Sequence, residues 1–188
     1  KDYKDENPFC LFLPLGYPHP PYCVEDPWFS QINRDIIPKR YQYEIWEDKP
    51  SLLKGIMDGQ KMHNWTEERW NELRAVYLGM CARVDYQFGL IVDQLKKNNL
   101  YDDSLIIFLS DHGDFTGDYN LVEKTQNTFQ DCLTNVPLLI KPPKKTGTLS
   151  GVYDVMVELI DIAGTIYDYA KIEPSYWHFG KSMKNFIN

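Results

Sequence analysis

The sequence predicts an α/β protein, a sheet with helices packed on its faces. Three observations predict it. Short runs that are apolar at every position stand at 9–13, 105–109 and 136–140, Pro137 included. A long segment from 66 to about 98, between the first two runs, repeats its apolar residues at helical spacing. A shorter amphipathic segment, 157–170, follows the last run. Runs without polar alternation read as strands covered on both faces, and the amphipathic segments are the helices that cover them.

Each element follows from its own residues. The stretch Lys1 to Pro8 is polar, with no initiator Met and no apolar leader region, so the chain is expected to begin inside a larger protein. It leads into Phe9-Cys10-Leu11-Phe12-Leu13, which reads as a buried strand. Residues 14–64 are rich in Pro and Tyr and read as a long ordered loop over the surface, a length at which loops carry function. From Thr66 onward, Trp70, Leu73, Tyr77, Met80, Val84, Phe88, Ile91 and Leu95 recur 3 or 4 residues apart, one apolar stripe along one helix. Asn64 or Thr66 can cap it, Glu67 and Glu68 suit its first turn, and Lys96 and Lys97 suit its last. The stripe is expected to pack on a sheet, because the strand Leu105 to Leu109 follows at once. Within Val136 to Ile140, Pro137 cannot donate to a ladder, so that strand begins after it or lies at an edge. Val157 to Ala170 carries Leu159, Ile160, Ile162, Ala163, Ile166 and Tyr167 and reads as the last helix.

Composition narrows the classes of function. The 188 residues hold 20 Lys plus Arg against 27 Asp plus Glu, a net charge of -7. Such a chain gains nothing from displacing counterions off phosphates, so nucleic acid is excluded as a partner. No apolar run approaches the ~20 residues of a bilayer span, so no membrane partner is expected. Cys10, Cys23, Cys81 and Cys132 are scattered without metal-ligand spacing, which fits free thiols in a reducing compartment and slightly favours the cytoplasm.

The chemistry-bearing residues lie after the second strand, in Ser110-Asp111-His112-Gly113-Asp114-Phe115-Thr116-Gly117-Asp118. The carboxyl ends of strands in α/β sheets are where ligands bind. Asp111 and His112 can reach one divalent cation if the backbone turns sharply, which Gly113 permits. Taken alone, the same residues also describe an Asx-turn with a surface histidine. Lys124, 13 residues after Asp111, lies beside Glu123 and by itself reads as a solvated lysine. His19, between Pro18 and Pro20, is aimed by its prolines or is polar filler in a turn. Asp102 and Asp103 precede their strand and belong to the opposite end of the sheet. Lys141, Lys144 and Lys145 read as a solvated loop, Asn64-Trp65-Thr66 as a helix start rather than a glycosylation sequon, and His63 as a loop residue. His178 is placed at a substrate rim, and Tyr22, Trp28 and Trp46 are stacking or packing aromatics.

The string S-D-H-G-x-x-x-G-x-x-x-x-L-x-x-K, from Ser110 to Lys124 allowing for one extra position, resembles the metal and sulfate-binding signature of the sulfatases, in the alkaline-phosphatase superfamily. Pro18-His19-Pro20-Pro21-Tyr22 is similar to the family's P-H-x-P-Y segment, and Val136 to Ile140 to its V-P-L-I-I strand. Leu159 to Thr165 resembles its L-x-D-I-x-P-T helix start, with Gly164 replacing Pro. Ile172-Glu173-Pro174 and Gly180-Lys181-Ser182 match its I-x-P…G-x-S ending. The resemblance runs in order along nearly the whole chain. It implies a mixed sheet of alkaline-phosphatase type, with residues 1–188 forming the C-terminal part of a catalytic domain. It makes Asp111 and His112 two ligands of a divalent cation, most often calcium with Mg²⁺ or Mn²⁺ open, acting as a Lewis acid on a sulfate oxygen. It makes Lys124 a positive charge on the same oxygens and His19 the general acid toward the leaving alkoxide.

The family nucleophile is a formylglycine made from Cys or Ser in C/S-x-P/A-x-R, and none of the four cysteines here lies in that pattern. The early aspartate pair of the family is also missing, and Tyr119 stands where many relatives have His. The expectation is a sulfuric ester hydrolase acting on a small or carbohydrate sulfate ester, with these 188 residues inactive by themselves. The alternatives are a phosphonate monoester hydrolase or phosphodiesterase of the same superfamily, and a carbohydrate-binding relative without catalysis. Strand edges left exposed would favour self-association.

Overall fold

Thr66 starts the longest element. Its hydroxyl accepts the Arg69 N–H at 3.4 Å, settling the choice between Asn64 and Thr66 as the cap, and the helix runs over Glu67–Lys97. The computed structural model describes residues 7–42, 47–125, 128–148 and 150–187. Within them lie α1 (Ser51–Gln60), α2 (Glu67–Lys97), β1 (Ile106–Leu109), α3 (Asp131–Thr134), β2 (Leu138–Lys141), α4 (Asp161–Ala170) and α5 (Lys184–Ile187). Short 3₁₀ turns occupy Arg34–Ile36, Asp118–Asn120 and Lys144–Thr146.

No member of the predicted α2 stripe is exposed, and Trp70, Met80 and Val84 are buried. The stripe does not face a sheet along its whole length, however. Phe88 stacks on Phe108 of β1 with ring centroids 4.9 Å apart. Upstream, Tyr77 meets the edge of Tyr22, and a Cβ on Gly79 would lie 2.7 Å from the Trp28 carbonyl oxygen. The Pro-rich loop therefore covers the first half of the helix.

β1 and β2 pair antiparallel, Ile106 opposite Lys141 through Leu109 opposite Leu138, so β2 begins directly after Pro137. Phe9 to Leu13 corrects the sequence expectation. It forms no strand, and Leu11 and Phe12 are 65% and 86% exposed. A strand buried on both faces needs neighbours on each side, and among the described residues none pairs with this run.

A second departure lies in the region read as a loop over 14–64: its end is helix α1, whose Leu53 and Met57 enter the core. They pack with Phe115, Leu121 and Leu133 as one apolar cluster. α4 starts at Asp161 rather than 157, because Asp161 holds the turn before it. Its carboxylate accepts from Glu158 N at 2.9 Å and from Lys181 N at 2.7 Å. Gly164 is explained by the same packing, since a Cβ there would lie 3.0 Å from the Gly180 carbonyl oxygen. Among the described residues no helix is long and apolar enough to cross a membrane.

Candidate functional site

β1 ends at Leu109 and delivers the chain into the 110–118 loop. Ser110 donates its hydroxyl to the His112 carbonyl at 2.7 Å, and His112 N–H donates to Asp111 Oδ1 at 2.9 Å, closing a tight turn. Gly113 is required here by close approach rather than by a left-handed backbone. Its N–H donates to the Leu133 carbonyl at 2.9 Å, and a Cβ would overlap the Cys132 carbonyl oxygen.

The tautomer of His112 follows from its partner. Nδ1 lies 2.8 Å from the Gly113 carbonyl, which can only accept, so Nδ1 carries the hydrogen and Nε2 presents a lone pair. Asp111 Oδ2 stands 3.7 Å from Nε2 on a side chain that is 85% exposed. An oriented imidazole lone pair with a backbone carbonyl behind it, beside a largely exposed carboxylate, is a donor set that fits a divalent cation. Among the described residues no third His, Cys, Asp or Glu completes such a group.

The loop then turns inward. Asp114 is half-buried, and both its oxygens accept from the Tyr22 hydroxyl, at 3.0 and 2.8 Å. Thr116 N–H donates to Asp114 Oδ1 at 2.8 Å. Burial pushes the Asp114 carboxyl above its ordinary range, against the hydrogen bonds from Tyr22 and Thr116. Burial and the neighbouring Asp114 likewise push the Tyr22 phenol up. Tyr22 also accepts the Glu123 N–H at 2.9 Å, while the Glu123 carbonyl receives Phe115 N–H at 2.9 Å.

These ties set the position of two residues 105 apart in sequence. Lys124 Nζ lies 2.7 Å from His19 Nε2. His19 Nδ1 is 2.8 Å from the Pro20 carbonyl, so Nδ1 is the donor and Nε2 accepts from the lysine ammonium. His19 and Lys124 are brought together, as are Asp111 and His112. No hydrogen bond or ion pair joins the two couples among the described residues. They are linked through the loop, because Tyr22 follows His19 by three residues and Asp114 follows Asp111 by three.

The other sequence candidates lie elsewhere. Asp102 pairs with Lys144 at 3.2 Å before β1. Lys141 lies over the Tyr101 ring at 4.3 Å and donates to the Tyr101 and Ser104 carbonyls, which occupies its charge. His63 sits 3.1 Å from Asp58, and His178 stacks beside Tyr167 and Tyr176. Trp28 packs on Tyr86 and Tyr22 is committed to Asp114, so neither is a free stacking surface; Trp46 lies outside the described residues.

Two participants escaped sequence reasoning. Asp114 is one, with no local signal beyond its place after D-H-G. Arg40 is the other: its side chain is 6% exposed and lies over Trp70, with a 2.9 Å bond to the Gly117 carbonyl and a 2.6 Å bond to Asn120 Oδ1. It pins a turn in which Thr116, Gly117, Tyr119, Asn120 and Glu123 all have positive φ.

The family model described as Sulfatase matches residues 1–172, and the chain belongs to the sulfatase family. It is 28% identical over 194 residues to the choline-sulfatase of Rhizobium meliloti (strain 1021), covering 100% of this chain and 37% of that protein. It is 28% identical over 200 residues to the multifunctional alkaline phosphatase superfamily protein PehA of Trinickia caryophylli, covering 98% of this chain and 38% of that protein. Among solved structures, the phosphonate monoester hydrolase of Agrobacterium radiobacter superposes with a TM-score of 0.82 at 29% identity, over 91% of this chain and 36% of that one. The chain thus spans little more than a third of the relatives it matches.

Proposed function

We propose that these residues form the C-terminal part of the catalytic domain of a sulfuric ester hydrolase, which releases sulfate from a small or carbohydrate sulfate ester. The observation that carries this reading is the 2.7 Å pairing of Lys124 Nζ with His19 Nε2 on the loop that bears Asp111 and His112. A lysine ammonium and an imidazole that converge from distant segments are a receptor for the oxygens of an anion once the imidazole Nε2 carries a proton to donate.

In this reading Asp111 and His112 are two ligands of a divalent cation, with calcium favoured by the carboxylate and Mg²⁺ or Mn²⁺ open. When bound, the cation supplies Lewis-acid stabilisation of charge on the sulfate oxygens. Lys124 holds those oxygens as a compact positive charge. His19, once its Nε2 is protonated, delivers that proton to the departing ester oxygen, and the Pro20 carbonyl keeps the ring aimed while it does so. The remaining ligands and the formylglycine nucleophile are assigned to the part of the relatives' length that this chain does not span.

The test is parallel kinetics of the full-length enzyme on nitrophenyl sulfate and on nitrophenyl phosphate and phosphonate esters. A sulfate preference is expected. His19→Ala should lower kcat on alkyl sulfates by roughly 10²–10⁴-fold and much less on nitrophenyl sulfate, whose leaving group needs little protonation. A second reading, phosphonate monoester hydrolase, is favoured by the superposition on the Agrobacterium enzyme, and a phosphonate or phosphodiester preference would establish it. Absence of turnover on every ester would leave the carbohydrate-binding alternative.

A further inference from the structure

The Tyr22 hydroxyl has one hydrogen, and its geometry fixes where that hydrogen goes. Asp114 lies at 2.8 and 3.0 Å and only accepts, so the hydroxyl donates to it and turns its lone pairs toward the Glu123 N–H at 2.9 Å. The Thr116 N–H holds Asp114 Oδ1 as well, at 2.8 Å. Glu123 stands at φ +61, in a region that residues other than Gly rarely adopt, and is pinned at both ends, by Tyr22 at its N–H and by Phe115 at its carbonyl. Lys124 is the next residue and His19 lies three before Tyr22. The two segments therefore touch at two points: hydroxyl to backbone, and imidazole to ammonium.

We infer that Tyr22 and Asp114 are positioning residues, a clamp that locks the 19–22 segment onto the 123–124 segment and so sets the spacing of His19 and Lys124. The role rests on the reading of those two as an anion-binding pair, but the clamp itself is a statement about geometry. The Phe115–Glu123 bond alone would hold Glu123 to its own loop. Among the described residues, what ties that loop to the segment carrying His19, besides the His19–Lys124 contact itself, is the Tyr22 hydroxyl, at Asp114 and at the Glu123 N–H. The aromatic ring is held separately, edge-on to Tyr77 at 6.3 Å, so packing and hydrogen bonding are separable by substitution.

The experiment uses the full-length enzyme, its Tyr22→Phe and Asp114→Asn variants, and Tyr77→Phe as a variant that touches the ring but not the clamp. Imidazole ¹⁵N shifts of His19 are recorded, and inorganic sulfate is titrated into each protein. In the unaltered chain His19 should show a single Nδ1–H tautomer, and Tyr77→Phe should match it. Tyr22→Phe should melt within a few degrees of the parent and keep the Nδ1–H tautomer that the Pro20 carbonyl holds, yet shift the His19 Nε2 signal toward that of a nitrogen without the Lys124 hydrogen bond. Its sulfate affinity should fall about tenfold, roughly one hydrogen bond's worth. Asp114→Asn should move the His19 shifts the same way by a smaller step, and it decides the matter if Tyr22→Phe does not fold. Parent-like His19 shifts in both variants would overturn the clamp. If the unaltered chain takes up no sulfate, the anion-pair reading fails, while the His19 shifts still decide whether the clamp exists.

Discussion

The loop over 110–124 and the run over 9–13 invert what their composition suggests. The loop is studded with Asp, Gly, Thr and Asn, yet its Phe115 and Leu121 are fully buried and anchor the apolar cluster with Leu53, Met57 and Leu133. The run is apolar throughout and lies open, with Phe12 at 86% exposure. Burial is decided by which neighbours a segment has, not by how much it would gain from having them. The loop's neighbours, α1, the Trp70 end of α2 and the residues of α3, are all in this chain.

The contrast is sharpest in stability. Phe115→Ala removes a side chain with no solvent exposure and should cost about 3–5 kcal/mol. Phe12→Ala makes the same chemical change at an exposed position and should stay within about 0.5 kcal/mol. Urea midpoints of the two variants check this directly. Equal losses would mean that the run is covered in solution, for instance by a second copy of the chain.

Arg40 tests whether the loop is held by its apolar residues alone. Its guanidinium bonds Gly117 O and Asn120 Oδ1 and reaches Glu67 at 2.6 Å. Glu67 is 67% exposed, so little of the stabilisation comes from that ion pair. Arg40→Met keeps an apolar stem over Trp70 but removes the bonds to Asn120 Oδ1 and to the Gly117 carbonyl, which keeps only the Asn120 N–H at 3.1 Å, and should cost about 1–2 kcal/mol. Arg40→Lys should recover only part of this, since an ammonium cannot span both acceptors as the planar fork does. No loss in Arg40→Met would assign the turn's geometry to Phe115 and Leu121 alone.

What the sequence disclosed divides along the same line. Helix α2, its Thr66 cap and both strands follow from periodicity and punctuation, which are properties of adjacent residues. α1 is hard to read because Gly55 and Gly59 interrupt it and its inward side is marked by little more than Leu53, Ile56 and Met57. The run at 9–13 was misread because an apolar pattern reports what a segment can bury, not whether anything lies beside it. The same holds at the site. D-H-G after a strand is visible locally, whereas the Tyr22–Asp114 bond joins residues 92 apart and the His19–Lys124 contact spans 105. Family likeness singled out His19 and Lys124, but nothing in spacing pairs Tyr22 with Asp114.

The cysteines probe both regions with the smallest perturbation. Cys10 sits in the open run and Cys23 is exposed just after Tyr22, whereas Cys81 lies on α2 and Cys132 on α3, each half-buried. Burial pushes the Cys81 thiol up to about 11, helped by the Asp114 carboxylate, and the Cys132 thiol up to about 12, helped by Asp118. Only the thiolate reacts, so at pH 8 a disulfide reagent should label Cys81 on the order of a hundredfold, and Cys132 on the order of a thousandfold, more slowly than an ordinary exposed thiol. As the pH rises the Cys81 rate should climb first and the Cys132 rate after it, provided the fold persists. Mass-resolved labelling assigns each rate to its residue. Slow labelling of Cys10 would show the 9–13 run covered, and fast labelling of Cys132 would show the 129–134 segment lifting off the Gly113 backbone that it contacts.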